Sequence, residues 1–280
     1  MSNLSAIEWT DKTLNPIRGC SRVSPGCLNC YMFDAVETRL RHNPSGAYAN
    51  GTAVTLHLDV LDHLGRDREP SRYFICSMSD WLHEDVPDEA VVALVDALRR
   101  HDHHWYFLLT KRAERLAELG PYLAWPDHVI ACVSVESEEQ VHRIDLLRAC
   151  GAKRIGVSAE PLIGRLPLGT EAARARYIRG LDYVIVGGET APEGKVRPMA
   201  KAWATGVRDA CLAEGVPFHF KQWGDVDEHG DYVGHKKAGR LLGGRTHDDL
   251  ARGCAEHLER ARLLAAAGST RRSASRSARP

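Results

Sequence analysis

His128-Val-Ile-Ala-Cys-Val-Ser-Val-Glu136 is a short apolar run that stops on Ser134 and Glu136, and Arg154-Ile-Gly-Val-Ser-Ala-Glu160 repeats the pattern with Ser158 and Glu160. A strand that is apolar on both faces belongs in a parallel sheet covered by helices. Period-2 geometry points the Ser and Glu of each pair to the same side. Tyr73–Cys76, Trp105–Leu109, Leu181–Val186 and Val216–Phe220 are runs of the same kind. They end on Ser77-Met-Ser-Asp80, Thr110-Lys-Arg112, Gly187-Gly-Glu189 and Lys221-Gln-Trp223. Helical spacing fills the gaps. Val91, Leu94, Val95 and Leu98 follow a capping Asp88, and Leu116 and Leu119 follow the next strand. Ser137 and Gln140 have capping-box spacing before Val141, Ile144 and Leu147, and Trp203, Val207, Ala210 and Cys211 share a face. Gly151 and Gly215 supply stops. An open doubly wound sheet gathers its ligand at one crevice, whereas a barrel gathers it from most strand ends. Every run here ends in polar residues. The sequence therefore predicts an α/β fold: a partial (β/α) TIM-type barrel of six to seven parallel strands, residues 7–10 supplying the seventh.

Between that first strand and the next lies Arg18-Gly-Cys-Ser-Arg-Val-Ser-Pro-Gly-Cys-Leu-Asn-Cys-Tyr31. Gly19, Pro25 and Gly26 make it a turning loop, and it brings together Cys20, Cys27 and Cys30. Phe33, Val36 and Leu40 then have helical spacing, with a stop at Asn43-Pro-Ser-Gly46. Structural zinc needs four ligands, and no second CxxC or nearby HxxxH exists, leaving His42 and His57 as distant candidates. Three thiolates suit an iron–sulfur cluster with one iron left open. The other cysteines, Cys76, Cys132, Cys150, Cys211 and Cys254, are scattered.

Composition sets the boundaries. Lys+Arg and Asp+Glu both number 37, and charged residues are 26%, so no global field argues for a nucleic-acid or membrane partner. No apolar run is long enough for a membrane span, and Met1–Trp9 lacks the features of a signal peptide. The expected setting is the cytoplasm, where clustered cysteines read as a metal site before a disulfide. The expected organisation is a barrel over residues 1–224, a hairpin and helix extension over 225–267, and a disordered basic tail over 268–280.

Four ordered sets of residues extend the candidate site. Glu136, Glu160 and Glu189 close three successive strands, either lining a pocket or pairing with Lys111, Arg112 and Lys221. Trp223 is placed to stack on adenine or a substrate base, or to pack the rim. His101, His103 and His104 lie at a helix end, where they offset its dipole. Lys236, Lys237, Arg240 and Arg245 form a basic set that reads as solvated surface or as a face toward a nucleic-acid backbone.

A short three-cysteine loop after the first strand of a partial βα barrel resembles the radical SAM superfamily. The usual CxxxCxxC spacing is here C-x6-C-x2-C. A closer resemblance rests on Ile7-Glu-Trp-Thr-Asp11, Ser24-Pro-Gly-Cys-Leu-Asn-Cys-Tyr31, Ser77-Met-Ser-Asp80, His83-Glu-Asp-Val-Pro87 and Leu109-Thr-Lys-Arg112. It continues through Val133-Ser-Val-Glu136, Ser158-Ala-Glu-Pro161, Val186-Gly-Gly-Glu189, Phe220-Lys-Gln-Trp-Gly224 and Lys237-Ala-Gly-Arg240. These blocks are similar to a three-cysteine-motif family of phage and prophage proteins, named after phage gene products and largely a domain of unknown function, itself distantly similar to spore photoproduct lyase. The resemblance implies a [4Fe-4S] cluster on Cys20, Cys27 and Cys30, with S-adenosylmethionine cleaved to a 5′-deoxyadenosyl radical. It implies cofactor binding by Ser77, Ser79, Asp80, Ser134, Ser158, Gly187, Gly188 and Glu189, and catalytic roles for Glu136, Glu160 and Lys221. A flavodoxin- or ferredoxin-type reductant and a nucleic-acid or nucleotide substrate are the implied partners. Two other readings stand beside it: a metal-dependent barrel hydrolase using Glu136, Glu160 and Glu189, and a non-catalytic zinc-stabilised phage accessory protein.

Overall fold

The structure is a computed structural model that describes residues 3–43 and 46–277. Strand β1 (Asn3–Leu4) pairs antiparallel with β2 (Lys12–Leu14). The cysteine loop follows through β3 (Ile17–Arg18) into helix α1 (Tyr31–Thr38), and β4 (Thr55–Leu56) returns to pair with β3. Helix α2 (Asp62–Arg66) leads to β5 (Arg72–Ile75), α3 (Asp88–Arg100), β6 (Trp105–Thr110) and α4 (Ala113–Leu119). Then come β7 (Val129–Ser134), α5 (His142–Ala149), β8 (Ile155–Ala159), α6 (Glu171–Tyr177), β9 (Tyr183–Gly187), α7 (Lys201–Glu214) and β10 (Phe218–Gln222). Short α8 (His235–Ala238) and long α9 (Cys254–Ser277) complete the chain.

The sheet order is β1-β2-β5-β6-β7-β8-β9-β10, and the seven strands from β2 to β10 run parallel. The α/β half-barrel expected from the strand rhythm is present. Its first parallel strand is Lys12–Leu14 and not residues 7–10, because Thr10 N–H bonds back to Ile7 O and makes that segment a turn. Alternation sorts the side chains. Tyr73, Ile75, Tyr106, Leu108, Val129, Ala131, Val133, Val184 and Val186 join the helices in the outer core. Phe74, Trp105, Phe107, Ile130, Cys132, Tyr183 and Ile185 point inward and pack with Trp9, Cys254 and Leu258.

The C-terminal residues are part of this packing. Phe220 N–H donates to His247 O and His219 bridges Asp248, so residues 247–248 cover the outer edge of β10. The expected turn at residues 224–234 forms around Asp227, with Val226 opposite Tyr232. Helix α9 runs to Ser277 and so takes in residues 268–277 of the tail for which the sequence suggests disorder. Two expected caps differ as well. Asp88 is the first helical residue and pairs with Arg115, and Ser137 donates to the Gln140 side chain ahead of a separate turn. Pro44 and Ser45, part of the stop expected after α1, lie outside the described residues; α1 itself ends at Thr38.

Candidate functional site

Polar strand ends converge on a cavity of about 510 Å³ at the mouth of the half-barrel. Cys20, Cys27 and Cys30 line one side, and Ser134, Ser158, Glu160, Glu189 and Lys221 line the other. Cys27 lies within electrostatic range of both other thiols. Burial, with Asp80 nearby, pushes the Cys20 thiol up to about 11, and burial also raises Cys30. Ligation by a metal centre would therefore release protons.

Each cysteine is adjoined or contacted by a residue tied to a different part of the mouth. Beside Cys20, the Ser21 hydroxyl donates to Glu84 (3.1 Å) and accepts from Arg112 Nη2 (2.8 Å). Near Cys27, the Ser24 hydroxyl donates to Glu136 Oε1 at 2.7 Å. Beside Cys30, Asn29 Nδ2 donates to Glu189 Oε2 at 3.0 Å. Gly26 has a steric reason: a Cβ there would lie 2.5 Å from the Glu136 side chain. The loop thus sits on the strand ends through short polar contacts that the cysteine spacing alone does not reveal.

These tethers reassign several expected roles. Glu136 is fully buried and is not among the residues lining the cavity. Its oxygens are held by Ser24, by Lys111 at 3.2 Å and by Arg143 at 2.9 Å. Burial alone would raise its pKa, but Lys111, Arg143 and Ser24 outweigh it and hold the carboxyl below its ordinary value. Glu136, for which a catalytic role is expected, lies two residues beyond the end of β7 at Ser134, off the cavity and held by these three partners. Asp80 has both oxygens occupied: Oδ1 by Thr110 Oγ1 (2.7 Å) and Leu82 N, Oδ2 by Lys111 N and Arg112 Nη1 (3.1 Å). It fixes the Thr110–Arg112 turn and leaves little for a cofactor. Ser79 donates to Ile17 O and Ser77 to Asn15 Oδ1, although both line the cavity.

Glu189 reaches the cavity but is chelated by Arg197, whose backbone N–H and Nε donate to Oε2 while Nη2 contacts Oε1. Burial pushes its pKa up, and Arg197 and Asn29 more than reverse this. Gly187 and Gly188 have packing reasons: a Cβ on Gly187 would meet Glu160 Oε1 at 2.5 Å, and one on Gly188 would meet Trp223 O at 1.8 Å. Trp223 is 2% exposed, packs on Phe220 and donates Nε1–H to Leu241 O. It is core, and the expected stacking on adenine is not available to it.

Glu160 and Lys221 remain directed at the cavity. Lys221 Nζ lies 3.4 Å from Glu160 Oε1, an ion pair whose geometry falls short of a hydrogen bond, so that this buried oxygen keeps an open acceptor position. Ser158 Oγ donates to Glu160 Oε2 at 3.3 Å. Trp9, Phe33, Phe74, Met78 and Leu109 supply apolar wall. Arg112 Nη1 lies 3.8 Å from Cys20 Sγ and places a guanidinium beside one thiol. Ser21, Ser24, Asn29, Arg143 and Arg197 carry much of this geometry. No spacing rule identifies them, although Ser24 and Asn29 lie inside a quoted block and Asn29 adjoins Cys30.

Of the remaining residues, Arg240 pairs with Asp248, while Lys236, Lys237 and Arg245 are exposed. His103 and His104 stack with ring centroids 3.9 Å apart, and His104 is fully buried at the other end of the barrel. Among the described residues, no group of three or more His, Cys, Asp or Glu side chains is placed to hold a single metal ion, and no helix is long and apolar enough to cross a membrane.

The chain belongs to the family DUF5131, proteins of unknown function, whose model matches residues 4–251. No curated protein matches it. Among solved structures it is similar to spore photoproduct lyase complexed with dinucleoside spore photoproduct, at 13% identity and a TM-score of 0.44, over 76% of this chain and 64% of that one. A cysteine-to-alanine mutant of the lyase with the same dinucleoside gives 14% and 0.45 over the same shares. A tyrosine-to-phenylalanine mutant gives 14% and 0.42, over 93% of this chain and 75% of that one. The chain spans 64% of the length of the first two.

Proposed function

We propose that this DUF5131 protein is a radical SAM-type enzyme in which Cys20, Cys27 and Cys30 hold a [4Fe-4S] cluster and a substrate enters the cavity beside Ser134, Ser158, Glu160 and Lys221. The observation that carries this is the mouth itself: three thiols around one cavity, each adjoined or contacted by a residue tied to a separate anchor. The donor set fits the group. Three thiols line one cavity, with Cys27 within electrostatic reach of the other two, which suits three thiolates sharing one cluster. His42 and His57, the distant zinc ligands, do not line the cavity. When bound, the cluster would supply the electron that cleaves S-adenosylmethionine to a 5′-deoxyadenosyl radical.

The chain's own residues orient the reactants and exclude water. Arg112 stabilises negative charge at Cys20, and the tethers at Ser21, Ser24 and Asn29 hold the loop over the strand ends. Glu160 Oε1 offers an acceptor to a ribose hydroxyl or an amino group. Lys221 offers a cation to an anionic substrate group. The apolar wall from Trp9 to Leu109 keeps the cavity dry. A nucleotide or nucleic-acid substrate suits this mixture of apolar wall and the cations Lys111, Arg112 and Lys221. A flavodoxin- or ferredoxin-type reductant, a cytoplasmic setting and a phage or prophage origin belong to the same proposal. The hydrolase reading fails on geometry, because Glu136 is off the cavity and Glu189 is engaged by Arg197.

Anaerobic reconstitution tests the proposal. The expected result is a brown protein with about four iron atoms per chain that cleaves S-adenosylmethionine when reduced. One tightly bound zinc per chain and no visible absorbance would refute it.

A further inference from the structure

A second cavity of about 240 Å³ lies behind the cysteine loop, between the end of β2, Arg18 on β3, Leu40, Tyr48 and Val60. It is separate from the thiols, but Thr13 and Met78 line both cavities, so the two share a wall. Its polar groups are donors. Arg18 is half-buried and, among the described residues, forms no ion pair and no side-chain hydrogen bond. Tyr48 stands close enough for Arg18 to oppose the burial that pushes its phenol up to about 12. Asn15 uses its side-chain oxygen to accept from Met78 N–H (3.1 Å) and Ser77 Oγ (3.2 Å), which leaves its amide N–H pair for the opposite side. Among the described residues, no carboxylate lines this cavity.

A guanidinium withdrawn from water without a counter-charge favours an anion, and its planar fork matches the oxygens of a carboxylate or phosphate. The volume is below the range typical of pockets for drug-sized ligands, which limits the occupant to a small group. We propose that this side pocket is a separate binding site for a small oxyanion, a carboxylate or phosphate, held by Arg18 with Tyr48 and Asn15. It stands independently of any metal centre. Occupancy reaches the main cavity through Met78, whose backbone Asn15 already holds.

The test is amide NMR of the full chain, titrated at constant ionic strength with inorganic phosphate, with acetate, and with chloride as the control. Saturable shifts centred on Asn15, Arg18 and Met78 are expected with at least one oxyanion and not with chloride. The oxyanion that saturates at the lower concentration identifies the ligand class. Arg18→Gln should weaken binding at least tenfold and Tyr48→Phe several-fold, with resonances elsewhere unchanged. Arg18→Lys, which keeps the charge without the fork, should fall between wild type and Arg18→Gln and serves if the glutamine variant does not fold. No saturable shift with either oxyanion beyond that of chloride, or an Arg18 variant that binds as wild type does, overturns the proposal.

Discussion

The two ends of the half-barrel are built from the same strands. At the mouth, the inward positions are Ser134, Ser158, Glu160 and Lys221, and they surround a cavity. At the floor, the inward positions are Phe74, Trp105, Phe107, Ile130 and Tyr183, closed from below by Cys254 and Leu258 of α9. Charge at the mouth is held in networks around the cavity such as Ser24–Glu136–Arg143, whereas the floor is packed by apolar rings and neutral histidines, with its ion pairs, Arg72–Asp11, Lys12–Asp67 and Arg154–Asp182, set at the strand starts. The difference teaches where stability and chemistry are separated. Substitutions at the floor should cost fold, and substitutions at the mouth should cost the metal centre while leaving the fold largely intact.

The largest expected effect breaks the mouth alone. Cys27→Ala should lose the iron–sulfur absorbance entirely while its melting temperature stays near that of the wild-type apo protein. Retained colour would remove Cys27 from the ligand set. Next, Trp105→Ala at the floor, where the ring is 1% exposed, should destabilise the fold by about 3–5 kcal/mol in denaturant titration. The folded fraction should still take up iron to the wild-type level, and a selective loss of iron would contradict the separation.

Acid sharpens the comparison. His104 accepts a hydrogen bond from Ser71 N–H at Nδ1 (3.3 Å) and donates Nε2–H to Leu64 O (3.2 Å), a pairing that requires the neutral ring. Burial, then the neighbouring His103, lowers its pKa to about 4 from an ordinary value of 6.5. The unfolded chain therefore binds the extra proton first. The stability from this residue is fully present above about pH 6.5 and is lost as the pH falls toward 4, by up to about 3 kcal/mol. Melting temperatures from pH 7 to pH 4 should fall more steeply for wild type than for His104→Gln; parallel curves would refute this. The smallest effect is at a tether. Asn29→Ala should cost about 1 kcal/mol and speed amide exchange in residues 18–31 with little change at the floor. Uniform acceleration across the chain would show that the loop is not a separate unit.

Much of this was legible in the chain itself. Apolar runs ending in polar pairs specify parallel strands and the end at which a ligand sits, because alternation and burial are local consequences of backbone geometry. The cysteine loop was legible as well, since Gly19, Pro25 and Gly26 mark a turn and three thiols within eleven residues mark a shared donor set. The surroundings of Trp223, Glu136 and Glu160 were not legible, because all three lie just beyond a strand end, where period-2 geometry no longer decides which way a side chain turns.

The sequence by itself thus determined the half-barrel, the polarity of its mouth and the nature of the thiol donors. Only the tertiary structure decided which mouth carboxylates are free. Glu136, Glu160 and Glu189 look alike in the chain, but the cations that engage them come at unrelated separations and from different kinds of element: Lys111 and, on α5, Arg143 for the first, Lys221 on β10 for the second and Arg197 in a loop for the third. Charge pairing depends on distance in space, and the folded chain brings those partners within ion-pair reach without any fixed sequence spacing.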